Sequence, residues 1–140
     1  MKKRKEIRKG KYKLQAFRSS AGLGLKTLER IPDGRFVAEY TGYELTSDEA
    51  EKKGGRYLFE ISSRRVIDGS PKWNIARYIN HSCRPNCEAV NSKGRIYIYA
   101  IKNIKEGSEI TYSYGRVYFN DFIKKGGCKC QYHLKNRGGR

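Results

Sequence analysis

The sequence predicts a mainly β, or α+β, domain of several short strands with few and short helices. Short segments alternate apolar with polar residues, and turn signals rich in Gly, Pro, Asp and Ser separate them. The 140 residues amount to one domain, and 37% of them are hydrophobic, which predicts a small and aromatic core. Little parallel sheet is expected from this pattern.

Each element follows from its local pattern. Strands are predicted at Tyr12–Arg18, Arg35–Thr41, Arg56–Ile61, Val66–Asp68, Cys87–Asn91, Arg95–Ile101 and Glu109–Ser113. A turn is predicted at Gly22–Gly24, a helical turn or two at Trp73–Asn80, and helices at Ser47–Lys53 and Val117–Lys125. The helix at Ser47–Lys53 has Thr46 or Ser47 as its N-cap and ends at Gly54-Gly55.

Positive charge is concentrated at the two ends of the chain. Residues 1–13 contain eight Lys or Arg and one Glu, a net charge of 8 − 1 = +7. Residues 124–140 contain six Lys or Arg and no acid, a net charge of +6, which leaves 17 − 13 = +4 for the remaining 110 residues. The pattern favours either simple solubility or attraction to a polyanion, such as nucleic acid. Lys2–Lys5 is also compatible with nuclear import.

Two classes of protein are excluded at this stage. No apolar run approaches the roughly 18 residues that a transmembrane helix needs. The basic N-terminus has no apolar segment behind it, so a classical secretory signal is not expected and the protein is predicted to be intracellular. The four cysteines are therefore interpreted as thiols or metal ligands rather than disulfides.

Five short motifs carry the chemistry, and they occur in a characteristic order. They are Gly22-Leu23-Gly24, Glu39-Tyr40-Thr41-Gly42, Tyr57-Leu58-Phe59, Arg77-Tyr78-Ile79-Asn80-His81-Ser82-Cys83-Arg84-Pro85-Asn86-Cys87 and Gly107-Ser108-Glu109-Ile110-Thr111-Tyr112-Ser113-Tyr114-Gly115. Their order and spacing resemble the SET domain of protein-lysine methyltransferases, over about residues 12–136. The resemblance implies a knot-like β fold in which the segment at Asn80–Cys83 lies beside Tyr112–Tyr114. It also implies a division into a basic arm (1–11), the SET domain (12–119) and a post-SET segment with a basic tail (120–140).

The resemblance implies S-adenosylmethionine as the cofactor and gives roles to single residues. Cofactor contacts are expected from Gly22, Leu23, Gly24, Tyr57, Arg77, Asn80, His81 and Tyr114, with Phe119, Tyr132 or Leu134 packing on the adenine. Tyr114 matches the catalytic tyrosine, and Tyr112 matches the position that limits the number of methyl groups added. Tyr57 and Phe59 would line the channel for the target lysine, and Tyr118 would close it. For each tyrosine the alternative is a core aromatic residue with a satisfied hydroxyl group.

The C-terminal segment resembles a variant post-SET region. That region carries three cysteines in the family, but here only Cys128 and Cys130 are present, and His133 can replace the third. The resemblance thus implies a structural zinc ion bound by Cys83, Cys128, Cys130 and His133, a ligand set that suits tetrahedral zinc. The alternative is a basic tail with reduced thiols. Cys87 is expected to be a small buried apolar residue.

These features together predict a lysine methyltransferase that mainly mono- or dimethylates a histone or another basic chromatin protein. Non-specific nucleic-acid binding through the basic ends is compatible with that activity. The competing interpretations are a non-catalytic module that binds nucleic acid and a catalytically dead relative that binds a lysine-containing peptide. The sequence leaves open the substrate protein, the oligomeric state and whether the protein acts in a nucleus, a nucleoid or the cytoplasm.

Overall fold

The structure is a computed structural model that describes residues 2–3, 7–19 and 22–114. In chain order the strands within these ranges are β1 (Lys2–Lys3), β2 (Leu14–Ser19), β3 (Gly22–Thr27), β4 (Phe36–Tyr40), β5 (Tyr43–Thr46), β6 (Leu58–Glu60), β7 (Arg65–Asp68), β8 (Asn80–His81), β9 (Cys87–Ser92), β10 (Arg95–Ala100) and β11 (Thr111–Tyr112). The same ranges contain one α-helix, α1 (Ser47–Lys53), and one 3-10 turn, Ile75–Tyr78. The prediction of a mainly β fold with few short helices is confirmed. None of the helices in these ranges has the length and apolarity needed to cross a bilayer.

The chain divides into two compact units, each assembled from three separate segments. The first unit comprises Met1–Lys11, Phe36–Arg77 and Ala89–Tyr99. The second unit comprises Tyr12–Arg35, Tyr78–Glu88 and Ala100–Arg140.

The first unit contains two groups of antiparallel strands. One sheet has the order β1-β5-β7-β6, and in the other group β4 pairs with β10, which lies beside β9. The register aligns Tyr43 with Asp68 and Leu58 with Asp68, so β7 is the central strand between β5 and β6. The alternating burial of β10 places Ile96 and Ile98 in the interior and leaves Tyr97 half-buried on the other face.

Helix α1 has the bounds that the sequence predicts, because its signals are local. The Thr46 hydroxyl accepts a hydrogen bond from the Glu49 N–H (3.1 Å), and the Glu49 carboxylate accepts one from the Thr46 N–H (2.9 Å). Gly54 ends the helix at a φ of 63° and donates its N–H to the Ala50 carbonyl. Ala50 then packs in a small apolar cluster with Leu45 and Val66.

A buried ion pair anchors β4 in the first unit. The Glu39 carboxylate is buried and accepts two hydrogen bonds from Arg95, at 2.9 and 3.0 Å. The Arg8 N–H donates to the same carboxylate at 2.8 Å. Burial of Glu39 is tolerable because these donors replace the water that the charge loses.

Arg8 also stacks on the aromatic residues of the same unit. Its guanidinium carbon lies 3.8 Å from the Phe36 ring centroid, 5.5 Å from that of Tyr97 and 6.0 Å from that of Tyr99. One guanidinium nitrogen donates to the Tyr99 hydroxyl at 3.2 Å. Cation–π contacts and a backbone hydrogen bond therefore fix residue 8 of the basic arm to the unit.

The second unit is built around a hairpin that the sequence analysis assigned differently. Gly22–Gly24 was expected to form a turn, but it begins strand β3, and β2 pairs with β3 from Leu14↔Thr27 to Ser19↔Gly22. Because Ser19 is opposite Gly22, the chain reverses direction before Gly22 rather than within the motif. The turn prediction was therefore wrong, although the glycines have a packing role that is described below.

The core is less aromatic than the composition suggests. The largest fully buried apolar side chains among the described residues are aliphatic: Leu25, Ile31, Ile67, Ile79, Ile96, Ile98, Ile110 and Val37. The sequence contains 11 Tyr among its aromatic residues, and a tyrosine hydroxyl needs a polar partner when it is buried. Most tyrosines in the described part of the chain are therefore only half-buried, and the prediction of an aromatic core was wrong.

The remaining predicted elements differ from the observed ones mainly in length. The expected strand at Glu109–Ser113 is shorter, at β11, and the expected helical turns at Trp73–Asn80 reduce to the 3-10 turn. Trp73, which had no assigned role, is 40% exposed and makes an edge-on contact with Tyr43. The expected helix at Val117–Lys125 lies outside the described residues.

Asp68 makes the stability of the first unit dependent on pH. Burial raises the pKa of the Asp68 carboxyl, but hydrogen bonds from Lys53 and from Ser70 outweigh burial and hold the pKa below its usual value. A group whose folded pKa is depressed contributes stability above its unfolded pKa, about 3.9, and loses it as the pH falls through the folded pKa.

We expect Lys53→Met to lower the free energy of unfolding at neutral pH, because it leaves the Asp68 carboxylate buried without its cation. The difference from wild type should shrink as the pH falls below about 4 and through the depressed folded pKa of Asp68, where this carboxylate becomes protonated. Urea denaturation across this range measures it, with the exposed neighbour Lys52→Met as control. A difference that stays constant with pH would contradict the prediction.

Candidate active site

The centre of the candidate site is a short parallel pairing in the second unit. β11 pairs with β8 in the register Thr111↔Asn80 and Tyr112↔His81, and the Ser82 N–H donates to the Tyr112 carbonyl at 3.2 Å. The two motifs lie about thirty residues apart in sequence, and this register places them side by side. The expected proximity of Asn80–Cys83 and Tyr112–Tyr114 is thus present.

The Asn80 side chain is held by three oxygen atoms. Its Nδ2 lies within hydrogen-bond distance of the Ser19 hydroxyl (3.0 Å), the Leu23 carbonyl (3.0 Å) and the Glu109 carboxylate (2.9 Å), and its two hydrogens are shared among these three acceptors. These contacts tie β8 to the β2–β3 hairpin and to the segment before β11. Every side-chain hydrogen bond between Asn80 and the described residues involves Nδ2. The other amide atom, Oδ1, is therefore the one that can accept a hydrogen bond from a ligand.

Gly24 is needed because two polar side chains approach its backbone. A Cβ atom at this position would lie 2.6 Å from Glu109 Oε2, closer than Cβ atoms are found, and 3.0 Å from Asn80 Nδ2, which is a tight contact. Gly22 has a φ of 104°, a conformation that favours glycine. Leu23, between them, is 58% exposed and contributes its carbonyl to Asn80.

His81 and Tyr114 are connected through backbone and ring contacts. The Tyr114 N–H donates to His81 Nδ1 at 3.1 Å, and the two ring centroids are 5.4 Å apart. A nitrogen that accepts a hydrogen bond carries no proton, so in the neutral imidazole the proton is on Nε2. That nitrogen lies 3.4 Å from Cys83 Sγ.

The Tyr114 hydroxyl has a defined orientation. It donates to the Ile79 carbonyl at 2.5 Å, and this carbonyl belongs to the residue directly before Asn80. Its hydrogen is thereby directed at the backbone, which leaves the oxygen lone pairs for other contacts. Tyr112 is buried, and its ring centroid lies 5.0 Å from that of Tyr114.

The expected site residues of the first unit are Tyr57, Phe59 and Arg77. The Arg77 guanidinium carbon lies 4.4 Å from the Tyr57 ring centroid. The Tyr57 carbonyl accepts from the Tyr40 hydroxyl (2.6 Å), and the Phe59 ring contacts the Tyr40 ring with a centroid separation of 5.2 Å. Tyr40 thus organises the segment that carries Tyr57 and Phe59.

The two described cysteines have different environments. Cys83 is exposed, whereas Cys87 is buried, as expected for a small apolar residue. Burial raises the pKa of the Cys87 thiol to about 12, so it stays protonated and unreactive at neutral pH.

Several expected site residues fall outside the described part of the chain. They are Tyr118 and Phe119, the alternative adenine contacts Tyr132 and Leu134, and the expected zinc ligands Cys128, Cys130 and His133. Among the described residues no group of three or more metal-ligating side chains is present.

Two polar residues of the site were not singled out from the sequence. Asn86 donates to the Glu109 carbonyl (2.8 Å) and accepts from the Thr111 N–H (2.9 Å), so its amide replaces a strand partner beside β11. Glu109 contacts Asn80 as described above. Both residues lie inside motifs that the sequence analysis quoted, but only the folded geometry shows what they contact.

Comparison with protein families matches residues 22–115 to the SET domain. The chain belongs to the SET domain family. The match contains the β3 glycines, the Asn80–His81 segment and Tyr112–Tyr114, which the structure brings together in the second unit. The resemblance that the motifs indicated is therefore confirmed.

Named relatives of this SET domain are histone methyltransferases. The chain is 38% identical, over 78% of its length, to "Histone-lysine N-methyltransferase, H3 lysine-4 specific" of Chaetomium globosum. It is 36% identical, over 89% of its length, to "Histone-lysine N-methyltransferase ASHH2" of Arabidopsis thaliana, and 34% identical, over 79%, to "Histone-lysine N-methyltransferase SUV39H2" of Xenopus tropicalis. The chain spans 11%, 8% and 32% of these relatives, respectively.

Proposed function

We propose that this SET domain is an S-adenosylmethionine-dependent protein-lysine N-methyltransferase that acts on a histone or another basic chromatin protein. The observation that carries the proposal is the pairing of β8 with β11, which holds Asn80, His81, Tyr112 and Tyr114 in one place. Family membership and the names of the relatives support the same activity. The activity is a proposal because the chain spans only part of each of those proteins.

The residues of the second unit have the chemistry that the cofactor needs. Asn80 Oδ1 can accept from an ammonium group, and the β3 backbone at Gly22–Gly24 offers peptide groups with little side-chain obstruction. What S-adenosylmethionine supplies when bound is a methyl group on a sulfonium sulfur, which leaves the sulfur as the lysine nitrogen forms its new bond to carbon.

Tyr114 is the residue to which we assign the central catalytic role. Its hydroxyl donates to the Ile79 carbonyl, so the oxygen is held in place with its lone pairs directed elsewhere. A fixed oxygen can accept weak CH···O contacts from a polarised methyl group and favours alignment for transfer.

The target lysine must lose a proton before it can react. With a pKa of about 10.4, roughly one lysine in 10³ is neutral at physiological pH, a barrier of about 4 kcal/mol. Aromatic walls that exclude water favour the neutral amine, as does a neighbouring positive charge. We assign those walls to Tyr112, Tyr57 and Phe59, with Tyr118 closing the channel, and we expect the proton to leave to solvent.

The remaining cofactor contacts follow the family resemblance. We assign Arg77, His81, Leu23 and Tyr57 to the cofactor site, and Phe119, Tyr132 or Leu134 to the adenine. Arg77 is supported by its contact with Tyr57, which fixes the guanidinium over an aromatic face.

The distribution of charge favours a partner at chromatin. A net charge of +17, concentrated in the two ends, attracts nucleic acid without sequence preference. We propose that the basic ends contact nucleic acid near the substrate and that the protein acts in a nucleus or at another chromatin-like complex.

A structural zinc ion is the second group that we propose. Cys83, Cys128, Cys130 and His133 are the ligands that the resemblance gives. Support comes from Cys83, which is exposed and whose sulfur lies 3.4 Å from Nε2 of His81, a second polar group beside the proposed ligand.

We expect the purified protein to contain about one zinc ion per chain, measured by mass spectrometry of the metal. Cys83→Ser should lower the zinc content strongly, because a hydroxyl group is a poor zinc ligand. Cys87→Ala is the control and should retain the metal, since that thiol is buried and protonated. Equal zinc content in the wild type and Cys83→Ser would reject this ligand set.

The activity is tested by transfer of a labelled methyl group to core histones with Tyr114→Phe. We expect at least about a hundredfold loss of turnover, because the variant keeps the ring but lacks the oriented oxygen. Tyr97→Phe, a half-buried tyrosine of the first unit, is the matched control and should remain active. Cofactor binding without transfer by wild type to any basic protein would favour a peptide-binding module instead, and nucleic-acid binding without cofactor binding would favour the nucleic-acid module.

Tyr112 is expected to limit the product to mono- and dimethyllysine, because its hydroxyl takes space that a further methyl group needs. Tyr112→Phe should shift the product toward trimethyllysine. Mass spectrometry of the methylated peptide measures the distribution, with Tyr97→Phe again as control. An unchanged distribution in an active Tyr112→Phe enzyme would refute this role.

A further inference from the structure

The Glu109 carboxylate lies against the proposed cofactor site, yet none of the roles above uses it. Its Oε2 accepts a hydrogen bond from Asn80 Nδ2 at 2.9 Å and also occupies the space beside Gly24. The same residue is bound through its backbone, since its carbonyl accepts from Asn86 and Lys26 forms an antiparallel bridge with it. The backbone of Glu109 is therefore fixed by Lys26 of β3 and by the Asn86 side chain, which holds the carboxylate close to Asn80.

This contact decides which way the Asn80 amide points. Nδ2 lies between the Leu23 carbonyl and the Glu109 carboxylate, and both of those oxygens can only accept hydrogen bonds. If the amide were reversed, Oδ1 would face the Leu23 carbonyl and the Glu109 carboxylate. These oxygens all accept hydrogen bonds and none of them carries a hydrogen to donate. The orientation with Nδ2 toward Glu109 is thus strongly preferred, and Oδ1 is directed away from these two partners.

We propose that Glu109 is a positioning residue that orients Asn80 so that Oδ1 is presented to the ammonium group of the cofactor's amino-acid moiety. This inference rests on the proposed function and assigns Glu109 an indirect part in cofactor recognition. Two features support it: the side chain reaches Asn80 only because Gly24 has no Cβ, and the ligand group in question is a cation that needs an acceptor.

Two ligands separate orientation of Asn80 from general damage to the site. S-adenosylhomocysteine carries the ammonium group, whereas 5′-methylthioadenosine has the same nucleoside and thioether without the amino-acid part. Calorimetric dissociation constants for both ligands are compared within each variant, so that the ratio cancels changes in the folded fraction. Wild type is expected to bind S-adenosylhomocysteine at least about tenfold more tightly.

Glu109→Ala should weaken S-adenosylhomocysteine binding by about tenfold or more and change 5′-methylthioadenosine binding by less than about twofold. Glu109→Gln, which keeps an acceptor oxygen, should recover most of the loss. Glu109→Asp keeps the charge but is one methylene shorter, so it should resemble Glu109→Ala and replaces it if that variant is too unstable. Glu106→Ala, an exposed acid on the same segment, is the control.

Several outcomes overturn the inference. If Glu109→Ala weakens the binding of both ligands equally, Glu109 has a structural role only. If Glu109→Gln binds S-adenosylhomocysteine as weakly as Glu109→Ala does, the hydrogen bond to Asn80 does not orient the amide. If wild type discriminates between the ligands and Glu109→Ala does so equally, Glu109 has no such role and the proposed function stands. If wild type binds neither ligand, the proposed function fails and this inference fails with it.

Discussion

The pairing of β11 with β8 is the contact on which the candidate site depends. It consists of only two residues on each strand, joined across a chain separation of about thirty residues. Closing so long a loop for so few backbone hydrogen bonds is unfavourable unless side chains add to it. Asn86 provides that addition, since its amide bonds both the Glu109 carbonyl and the Thr111 N–H directly before β9, which itself pairs with β11 at Tyr112↔Cys87. Side-chain hydrogen bonds of Asn86 therefore supplement the short backbone pairing on which the site depends.

Much of the fold could be predicted where the responsible signals are local. Helix α1 was predicted with its observed bounds because an N-cap residue, Thr46 or Ser47, and Gly54-Gly55 mark its two ends, and the structure shows that Thr46 is the cap. Strands were predicted at the positions of β9 and β10 because both segments show a local strand pattern. In contrast, strands such as β8 and β11 are too short to show a period, so no local pattern could reveal that they pair.

The roles of Gly24 and of the buried Glu39 were harder to predict, because the residues that explain them are distant in sequence. Gly24 was assigned to a turn, but it lies in a strand and is needed because Glu109 and Asn80 pack against it. Likewise, the buried Glu39 carboxylate is explained only by Arg95, which lies 56 residues away. The motifs identified which residues matter at the site, whereas the partners of those residues had to come from the structure.

The attachment of the basic arm has a practical meaning for experiments that vary ionic strength. Arg8 is held by an aromatic face and by a backbone hydrogen bond to a buried carboxylate, and dissolved salt screens neither contact efficiently. Nucleic acid bound to the basic ends, however, dissociates steeply as salt rises. Salt is therefore expected to release the nucleic acid that we propose for the basic ends, while residue 8 stays anchored to the fold.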